Sequence, residues 1–253
     1  MSKEIFGDFL EVSKEIQDES IDLIFADPPF NVSKKYTSYN DNIPRKEYIF
    51  WTEKWLKECN RILKNTGSIY VMNIQDNVWF TQKTLEELGM IFKNVIVWKN
   101  SSMPVKNRFC INYQPIVYFT KTNNYTFNFN AQRHISSEVL PWGKQNNGNL
   151  MIDQWNDIPF ISGGCMASKE AILQKDSKKK AHPCQMPLAL IRRIIEFSSN
   201  INEVVLDPFS GSFTTAIACL ETNRNYICIE KVKEYFDLGK ERINNYNKEN
   251  RLF

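Results

Sequence analysis

The chain of 253 residues has a net charge of +3, and 42% of its residues are hydrophobic, which fits a globular protein with one sizeable core. Residues 1–4 are charged and no apolar stretch approaches a membrane span, so we expect a cytoplasmic protein whose six cysteines are reduced. The two histidines form no cluster with the cysteines, so we expect no protein-held metal ion. The mildly basic charge allows nucleic-acid binding without favouring it.

Strand and helix patterns alternate along the chain and predict an α/β fold. The apolar run Ile21–Ala26, broken only by Asp22, predicts a buried parallel strand. Later patterns predict helices over residues 47–65, 78–88, 188–199 and 232–247, and strands over residues 92–98, 114–121, 204–206 and 226–229. Residues 123–180 differ from the rest in being rich in Asn, Gln, Ser and Gly.

The first predicted strand ends in Asp27-Pro28-Pro29-Phe30, at the sheet edge where open α/β folds bind their ligands. The Asp27 carboxylate accepts hydrogen bonds, the two prolines restrict the backbone and so direct the Pro28 carbonyl, and the Phe30 ring offers a stacking face. These groups can grip a planar ring that carries an exocyclic amine, with Asp27 and the Pro28 carbonyl accepting its two hydrogens. Alone, the same four residues are typical of an ordinary turn after a strand.

A second strand end has a related pattern. The strand at 204–206 leads into Asp-Pro-Phe-Ser-Gly-Ser at residues 207–212, and a helical pattern follows, which is the context of a nucleotide-like cofactor loop. The next strand ends in Glu230, about 20 residues past Gly211, the separation at which an acidic residue meets ribose hydroxyls. This second strand end favours the interpretation of residues 27–30 as a ligand-binding motif over their interpretation as an ordinary turn.

The two motifs resemble those of the DNA amino-methyltransferases that use S-adenosyl-L-methionine, which carry a catalytic D-P-P-Y/F and a cofactor-binding D-P-F-x-G-S-G. The catalytic motif comes first here, as in the permuted beta group of that family. The resemblance covers nearly the whole chain outside residues 123–180, and it includes residues 7–8, 67–71, 112–119, 182–187 and 224–230.

The resemblance implies a Rossmann-like methyltransferase fold with circularly permuted motif order, built on a mostly parallel seven-stranded sheet with an antiparallel edge strand. It implies a single domain over residues 1–253, with a catalytic half at 1–122, an inserted target-recognition segment at 123–180 and a cofactor-binding half at 181–253. The residues implied as catalytic are Asp27, Pro28, Pro29 and Phe30, and those implied as cofactor-binding are Asp8, Asp27, Gln185, Asp207, Phe209, Gly211, Ser212 and Glu230.

Two residues depart from the family pattern. Phe213 stands where glycine is usual in the cofactor turn, and a bulky residue there disfavours a positive φ and narrows the approach of backbone to ligand. Met186 stands where lysine is usual. Neither position carries the chemical step, so we interpret both as changes in cofactor affinity.

Residues 123–180 occupy the place of the family's target-recognition segment. Their amides suit adenine edges, and basic side chains suit guanine or phosphate. Candidate DNA contacts are Lys178, Lys179 and Lys180 in this segment, and Lys34 and Lys35 after the catalytic motif. The alternative is a surface insertion whose lysines are merely solvated, and this is the favoured interpretation of any single residue.

The function implied by the resemblance is methylation of the N6 amine of a flipped adenine in double-stranded DNA, because an Asp at the first motif position goes mostly with adenine in the family. Cytosine N4 presents the same local chemistry and is the first alternative. A catalytically weak DNA-binding regulator on the same scaffold is the second, kept open by Phe213. Methylation of RNA or of a protein glutamine is less favoured, and a cognate restriction endonuclease and a homodimer stay open as partners.

Overall fold

A mixed sheet of eight strands organises the part of the chain that the computed structural model describes, which comprises residues 2–34, 41–99, 106–107, 109–131, 144–145, 148–149, 151–161, 170–173, 181–182 and 184–250. The strands are β1 (Lys3–Phe6), β2 (Ile21–Ala26), β3 (Leu63–Met72), β4 (Ile91–Lys99), β5 (Tyr113–Thr120), β6 (Lys144–Gln145), β7 (Gly148–Asn149), β8 (Gln154–Trp155), β9 (Val204–Asp207) and β10 (Asn225–Glu230). The helices are α1 (Phe9–Val12), α2 (Arg45–Ile62), α3 (Gln75–Glu87), α4 (Leu188–Ser198), α5 (Thr214–Glu221) and α6 (Lys233–Asn250), and a 3₁₀ turn spans Ser13–Glu15. The short β6 and β7 pair separately from the large sheet.

The strand order is β1-β10-β9-β2-β3-β5-β4-β8, and every neighbouring pair is parallel except the two that involve β5. The predicted Rossmann-like, mostly parallel sheet is therefore confirmed, with two corrections. The sheet has eight strands instead of seven, because Gln154–Trp155 pairs with β4. The antiparallel strand lies inside the sheet, between β3 and β4, and this position buries Ile116, Val117 and Phe119 completely.

Helices cover both faces of the sheet. Leu23 and Phe25 of β2 pack in one core cluster with α4, α5 and α6, whereas Ile24 and Ala26 pack in another with α1, α2 and α3. Asp22 also lies in this buried strand because its carboxylate accepts hydrogen bonds from the Lys64 side chain and the Val204 N–H. None of the helices in the described ranges is long and apolar enough to cross a membrane.

The pairing of β2 with β9 brings the two sequence motifs together. Leu23 lies opposite Val205 and Ile24 opposite Leu206 in a parallel register. Their carboxyl ends, which carry residues 27–30 and 207–212, therefore lie side by side at one edge of the sheet. Since β3 continues the sheet from β2, and β10 from β9 in the other direction, this is the topological switch point at which open α/β sheets bind ligands.

The structure corrects the expectation about Phe213, which adopts a left-handed conformation with φ of 59°. A non-glycine residue strains the backbone in this region by about 1–2 kcal/mol. Complete burial of the ring offsets that strain, since it packs edge-on against Phe236 with ring centroids 5.8 Å apart. Gly239 of α6 makes the room, because a Cβ there would lie 2.5 Å from Phe213 Cγ.

We predict that Gly239→Ala destabilises the protein by about 1–3 kcal/mol, because the added methyl group overpacks the Phe213 ring. In a helix interior the same change is otherwise stabilising by about 0.5–1 kcal/mol. Urea unfolding measures the effect.

The matched background is Phe213→Ala. With the ring absent, Gly239→Ala is expected to lose its cost and become neutral or stabilising. An equal destabilisation in both backgrounds would show that the two residues are not coupled.

Candidate active site

The two strand ends form opposite walls of one cleft, which encloses about 950 Å³ including space open to solvent. The predicted residues that line it are Asp8, Asp27, Pro28, Pro29, Phe30, Asp207, Phe209, Gly211, Ser212 and Glu230. Lys35, Lys178, Lys179 and Lys180 lie outside the described residues.

Asp27 is only partly exposed, and its Oδ1 atom is buried without a hydrogen-bond partner among the described residues. Burial, and after it the nearby Asp207, raise the pKa of its carboxyl from 3.8 to about 7 against the opposing effect of Lys34. A buried acceptor without a donor is costly to the free protein. Such an arrangement is expected where a ligand supplies the missing donor.

The backbone of the catalytic motif is held by side chains from two helices. The Tyr48 hydroxyl of α2 donates to the Pro29 carbonyl at 2.7 Å, and the Asn77 amide of α3 donates to the Phe30 carbonyl at 3.0 Å. The Pro28 carbonyl accepts no hydrogen bond from the described residues. The motif therefore carries two acceptors that have no donor among the described residues, Asp27 Oδ1 and the Pro28 carbonyl, and both residues line the cleft.

The backbone of residues 31–34, directly after the motif, is held by Asp41, which is 2% exposed. Its carboxylate accepts hydrogen bonds from the N–H groups of Asn31, Val32 and Lys34, at 2.8–3.1 Å. Asn31 adopts a positive φ of 60°, a conformation that asparagine tolerates well. The role of Asp41 could not be predicted, because an acidic residue in a polar loop has no sequence pattern of its own.

Asp207 shapes the cofactor loop from within. Its carboxylate accepts hydrogen bonds from the Phe209 N–H at 3.0 Å and from the Thr215 hydroxyl at 2.5 Å, so it ties the turn to the start of α5. Burial raises its pKa to about 7, although these two bonds oppose the rise. Asp207 thus holds the loop while its side chain also borders the cleft.

Glu230 connects the same loop to β10. Its carboxylate accepts hydrogen bonds from the N–H groups of Gly211, at 2.8 Å, and Val232, at 2.7 Å. Burial raises its pKa above the ordinary value, and these bonds oppose the rise. An ionised carboxylate has about four acceptor positions, so these bonds leave part of its acceptor capacity unused.

Only glycine fits at position 211, because of its backbone conformation and the side chain that lies next to it. Its φ is +50°, and a Cβ there would lie 2.8 Å from the imidazole ring of His182. The His182 ring in turn packs edge-on against Tyr235 with centroids 4.4 Å apart. The glycine therefore lets the loop backbone approach the ring that closes this side of the cleft.

Aromatic packing fixes the outer part of the loop. The Phe209 ring lies 5.3 Å from Trp55 and 5.6 Å from Trp51, both of α2, measured between ring centroids. Asp8, at the cleft rim, caps α1 by accepting a hydrogen bond from the Leu10 N–H. The aromatic contacts attach the cofactor loop to α2, the helix that also carries Tyr48.

Gln185 is not brought into the cleft with the other predicted residues. Its amide donates to the Glu170 carbonyl at 2.8 Å and accepts from the Ile172 N–H at 2.9 Å. It therefore joins the segment before it to residues 170–172, and a direct cofactor contact stays a prediction. Met186, which departs from the family pattern, does line the cleft.

A family model described as DNA methylase, of the N6 and N4 type, matches residues 21–241. The chain belongs to this family. This DNA methylase is 35% identical over 248 residues to the DNA adenine methyltransferase YhdJ of Escherichia coli K12, and the match covers 94% of this chain and 81% of the relative. It is also 35% identical to the type II methyltransferase M.HinfI of Haemophilus influenzae, with 94% of this chain and 67% of the relative covered.

Solved structures show the same fold. The PvuII DNA methyltransferase, described as cytosine-N4-specific, aligns with a TM-score of 0.73 at 23% identity, covering 95% of this chain and 86% of that one. The M1.HpyAVI–SAM complex aligns with a TM-score of 0.63 at 23% identity, covering 96% and 98%. The family resemblance predicted from the two motifs, and with it the assignment as a DNA-modifying enzyme, is therefore confirmed, while the roles of individual residues stay predictions.

The raised pKa of Asp27 predicts a specific pH dependence of stability. The folded protein holds a proton on Asp27 that the unfolded chain, with the ordinary pKa of 3.8, releases. Ionisation therefore lowers the stability of the free DNA methylase progressively as the pH rises from about 4 to about 7. We expect Asp27→Asn to be more stable than the wild type at pH 8 in urea unfolding, with the difference shrinking toward pH 4.

The matched control is Asp76→Asn, which alters an exposed carboxylate on α3 and is expected to follow the wild-type profile closely. Parallel profiles for the wild type and Asp27→Asn between pH 4 and pH 8 would contradict the account of Asp27 as a carboxylate destabilised by burial.

Proposed function

We propose that this DNA methylase transfers a methyl group from S-adenosyl-L-methionine to the N6 amine of an adenine flipped out of double-stranded DNA. The observation that carries the proposal is the pair of open acceptors, Asp27 Oδ1 and the Pro28 carbonyl, in the cleft shared with the cofactor loop. An exocyclic amine has two hydrogens to donate, and the pair would receive one each. A base inside a duplex cannot reach such a cleft, hence the flipping.

The residues of the cleft suit S-adenosyl-L-methionine. Glu230 has acceptor capacity left for ribose hydroxyls, and the loop at 210–212 offers small residues beside it. The carboxyls of Asp27 and Asp207, both buried near one another, favour a positively charged ligand over a neutral one. When bound, the cofactor supplies an electrophilic methyl group.

The chain's own contribution is to the amine. In a free base the amine lone pair is delocalised into the ring, so the nitrogen is a poor nucleophile. Hydrogen bonds to Asp27 and to the Pro28 carbonyl favour a pyramidal nitrogen whose lone pair is localised. Phe30, which lines the cleft, offers its ring as a replacement for the stacking lost on flipping. Positioning supplies much of the rate, and no strong base is needed because the amine loses its proton after transfer.

Two observations favour adenine over cytosine. Asp27 begins the motif, and the family places Asp there mostly with adenine. The relative YhdJ is named a DNA adenine methyltransferase. The likeness to a cytosine-N4-specific enzyme concerns the fold alone, and cytosine N4 methylation is the second candidate because its amine would meet the same two acceptors.

The remaining assignments form part of the proposal. Residues 1–122 are the catalytic half, 123–180 the target-recognition segment and 181–253 the cofactor-binding half of one domain. Lys34, Lys35 and Lys178–180 contact DNA phosphates. The Nζ of Lys34 donates at 2.8 Å to Sγ of Cys184, a residue that lines the cleft. The type II name of M.HinfI supports a restriction endonuclease as a functional partner. Homodimerisation and a cytoplasmic location complete the proposal.

Asp27→Ala tests the catalytic assignment. We expect at least a 100-fold loss of methyl transfer, because the amine loses a positioned acceptor. Cofactor affinity should largely survive, since Asp207, Gly211 and Glu230 hold the cofactor. Transfer of a labelled methyl group to DNA is measured beside equilibrium binding of the cofactor. Near-normal turnover would remove Asp27 from the mechanism.

Glu230→Ala tests the ribose assignment. Cofactor affinity is expected to fall by about 1.5–3 kcal/mol, the usual worth of hydrogen bonds to a charged group. Calorimetric titration with S-adenosylhomocysteine measures it. Glu230→Gln is the control for loop integrity, since it keeps an acceptor for the Gly211 N–H, and it should lose less. Unchanged affinity in the alanine variant would place the ribose elsewhere.

A further inference from the structure

A second groove opens at the same edge of the sheet as the active site. Because β4 is antiparallel to β5, and β5 to β3, β4 runs parallel to β2 and ends at the catalytic edge. The side chains of Lys99, Asn112, Tyr113, Gln154 and Asn156 line this groove together with Val97, and we call it the amide groove. Resting on the proposed function, we infer that the amide groove reads base edges of the DNA next to the flipped adenine.

The polar groups of the amide groove are open to a ligand. Asn112, Gln154 and Asn156 are exposed, and none of their amides is hydrogen-bonded to the described residues. A carboxamide can pair in two places with the N6 and N7 atoms of adenine, and a lysine can contact guanine O6 and N7. Lys99 supplies that charge, and no carboxylate is among the described residues that line the groove. The donors, acceptors and charge therefore suit a base edge or phosphate of DNA.

The groove lies at a distance from Asp27 that suits recognition of a short site. Three strand spacings separate β2 from β4 in the order β2-β3-β5-β4, which amounts to about 14 Å. At a rise of about 3.4 Å per base pair, this span corresponds to about four base pairs. A duplex that delivers its adenine to Asp27 can thus lie over the amide groove within one helical turn.

An exposed aromatic side chain lies close to the groove in the chain. Phe109 is 97% exposed and Ile111 37% exposed, directly before Asn112. Both precede the start of β5, which is at the catalytic edge. Phe109 comes three residues before Asn112 of the amide groove and three residues after the exposed Lys106. An exposed apolar ring suits contact with bases or sugars at the surface of a duplex.

The amide groove combines residues that were predicted to belong to different parts of the chain. Asn112 belongs to the predicted catalytic half, whereas Gln154 and Asn156 belong to the segment at 123–180. The pairing of β8 with β4, which no sequence pattern predicts, brings them together. Recognition is thereby shared between the end of the catalytic sheet and the inserted segment.

The test starts from the methylated adenines mapped by base-modification sequencing in a host that lacks other methylases. Duplex oligonucleotides then carry that site or each single base-pair change in it. We expect Gln154→Ala and Asn156→Ala each to lose about tenfold or more of the discrimination, expressed as the ratio of kcat/KM values, at one base position. Affinity for S-adenosylhomocysteine should stay unchanged.

Asn65→Ala is the matched control, since Asn65 is an exposed amide at the opposite end of β3. It should leave discrimination at every position intact. Gln154→Glu provides a second variant with reversed chemistry, because a carboxylate accepts from cytosine N4 but cannot donate to adenine N7. It is expected to shift the preferred base at the same position that Gln154→Ala relaxes.

Equal discrimination in the wild type and all groove variants would overturn the inference. So would a uniform loss of binding to all sequences, because that is the signature of phosphate contacts. Both outcomes leave the proposed methylation of adenine standing. A wild-type chain that methylates no adenine would instead overturn the proposed function, and this inference with it.

Discussion

The parallel pairing of β2 with β9 is the constraint on which the rest of the structure depends. The two strands are separated by nearly the whole chain, yet their register places residues 27–30 and 207–212 at one edge of the sheet. Each strand end on its own would be a turn. Side by side they form the walls of one cleft, and we propose that one wall binds the target amine and the other the cofactor.

The cleft is built at a cost to the stability of the free protein. Asp27 and Asp207 are buried carboxyls whose pKa values are raised to about 7, and Oδ1 of Asp27 has no donor among the described residues. The bonds of Tyr48 and Asn77 to the backbone of residues 29 and 30 hold the catalytic motif without using the open oxygen of Asp27. Asp207 is held through its own carboxylate, which accepts from the Phe209 N–H and the Thr215 hydroxyl. Functional sites commonly lower the stability of the folded protein in this way.

Much of the site could be predicted from the sequence because its chemistry is concentrated at two strand ends. An apolar run followed by a short polar segment can be recognised in the amino-acid sequence. The same holds for Asp27, Gly211 and Glu230, which stand at fixed positions after such runs. Asp41 could not be predicted, because its importance lies in three N–H groups that reach it only in the folded loop.

The corrected expectations have the same physical origin. A two-residue strand such as β8 has no periodicity to detect. The left-handed conformation of Phe213 depends on a glycine in α6 that leaves room for its ring, and no local rule connects the two. In each case a contact distant in the chain overrides the local pattern.

The most direct test of the central claim is base-modification sequencing of host DNA with and without this protein. The account predicts N6-methyladenine at one short sequence, present only when the protein is expressed. The appearance of N4-methylcytosine instead, or of no modified base from a folded protein that binds the cofactor, would contradict it.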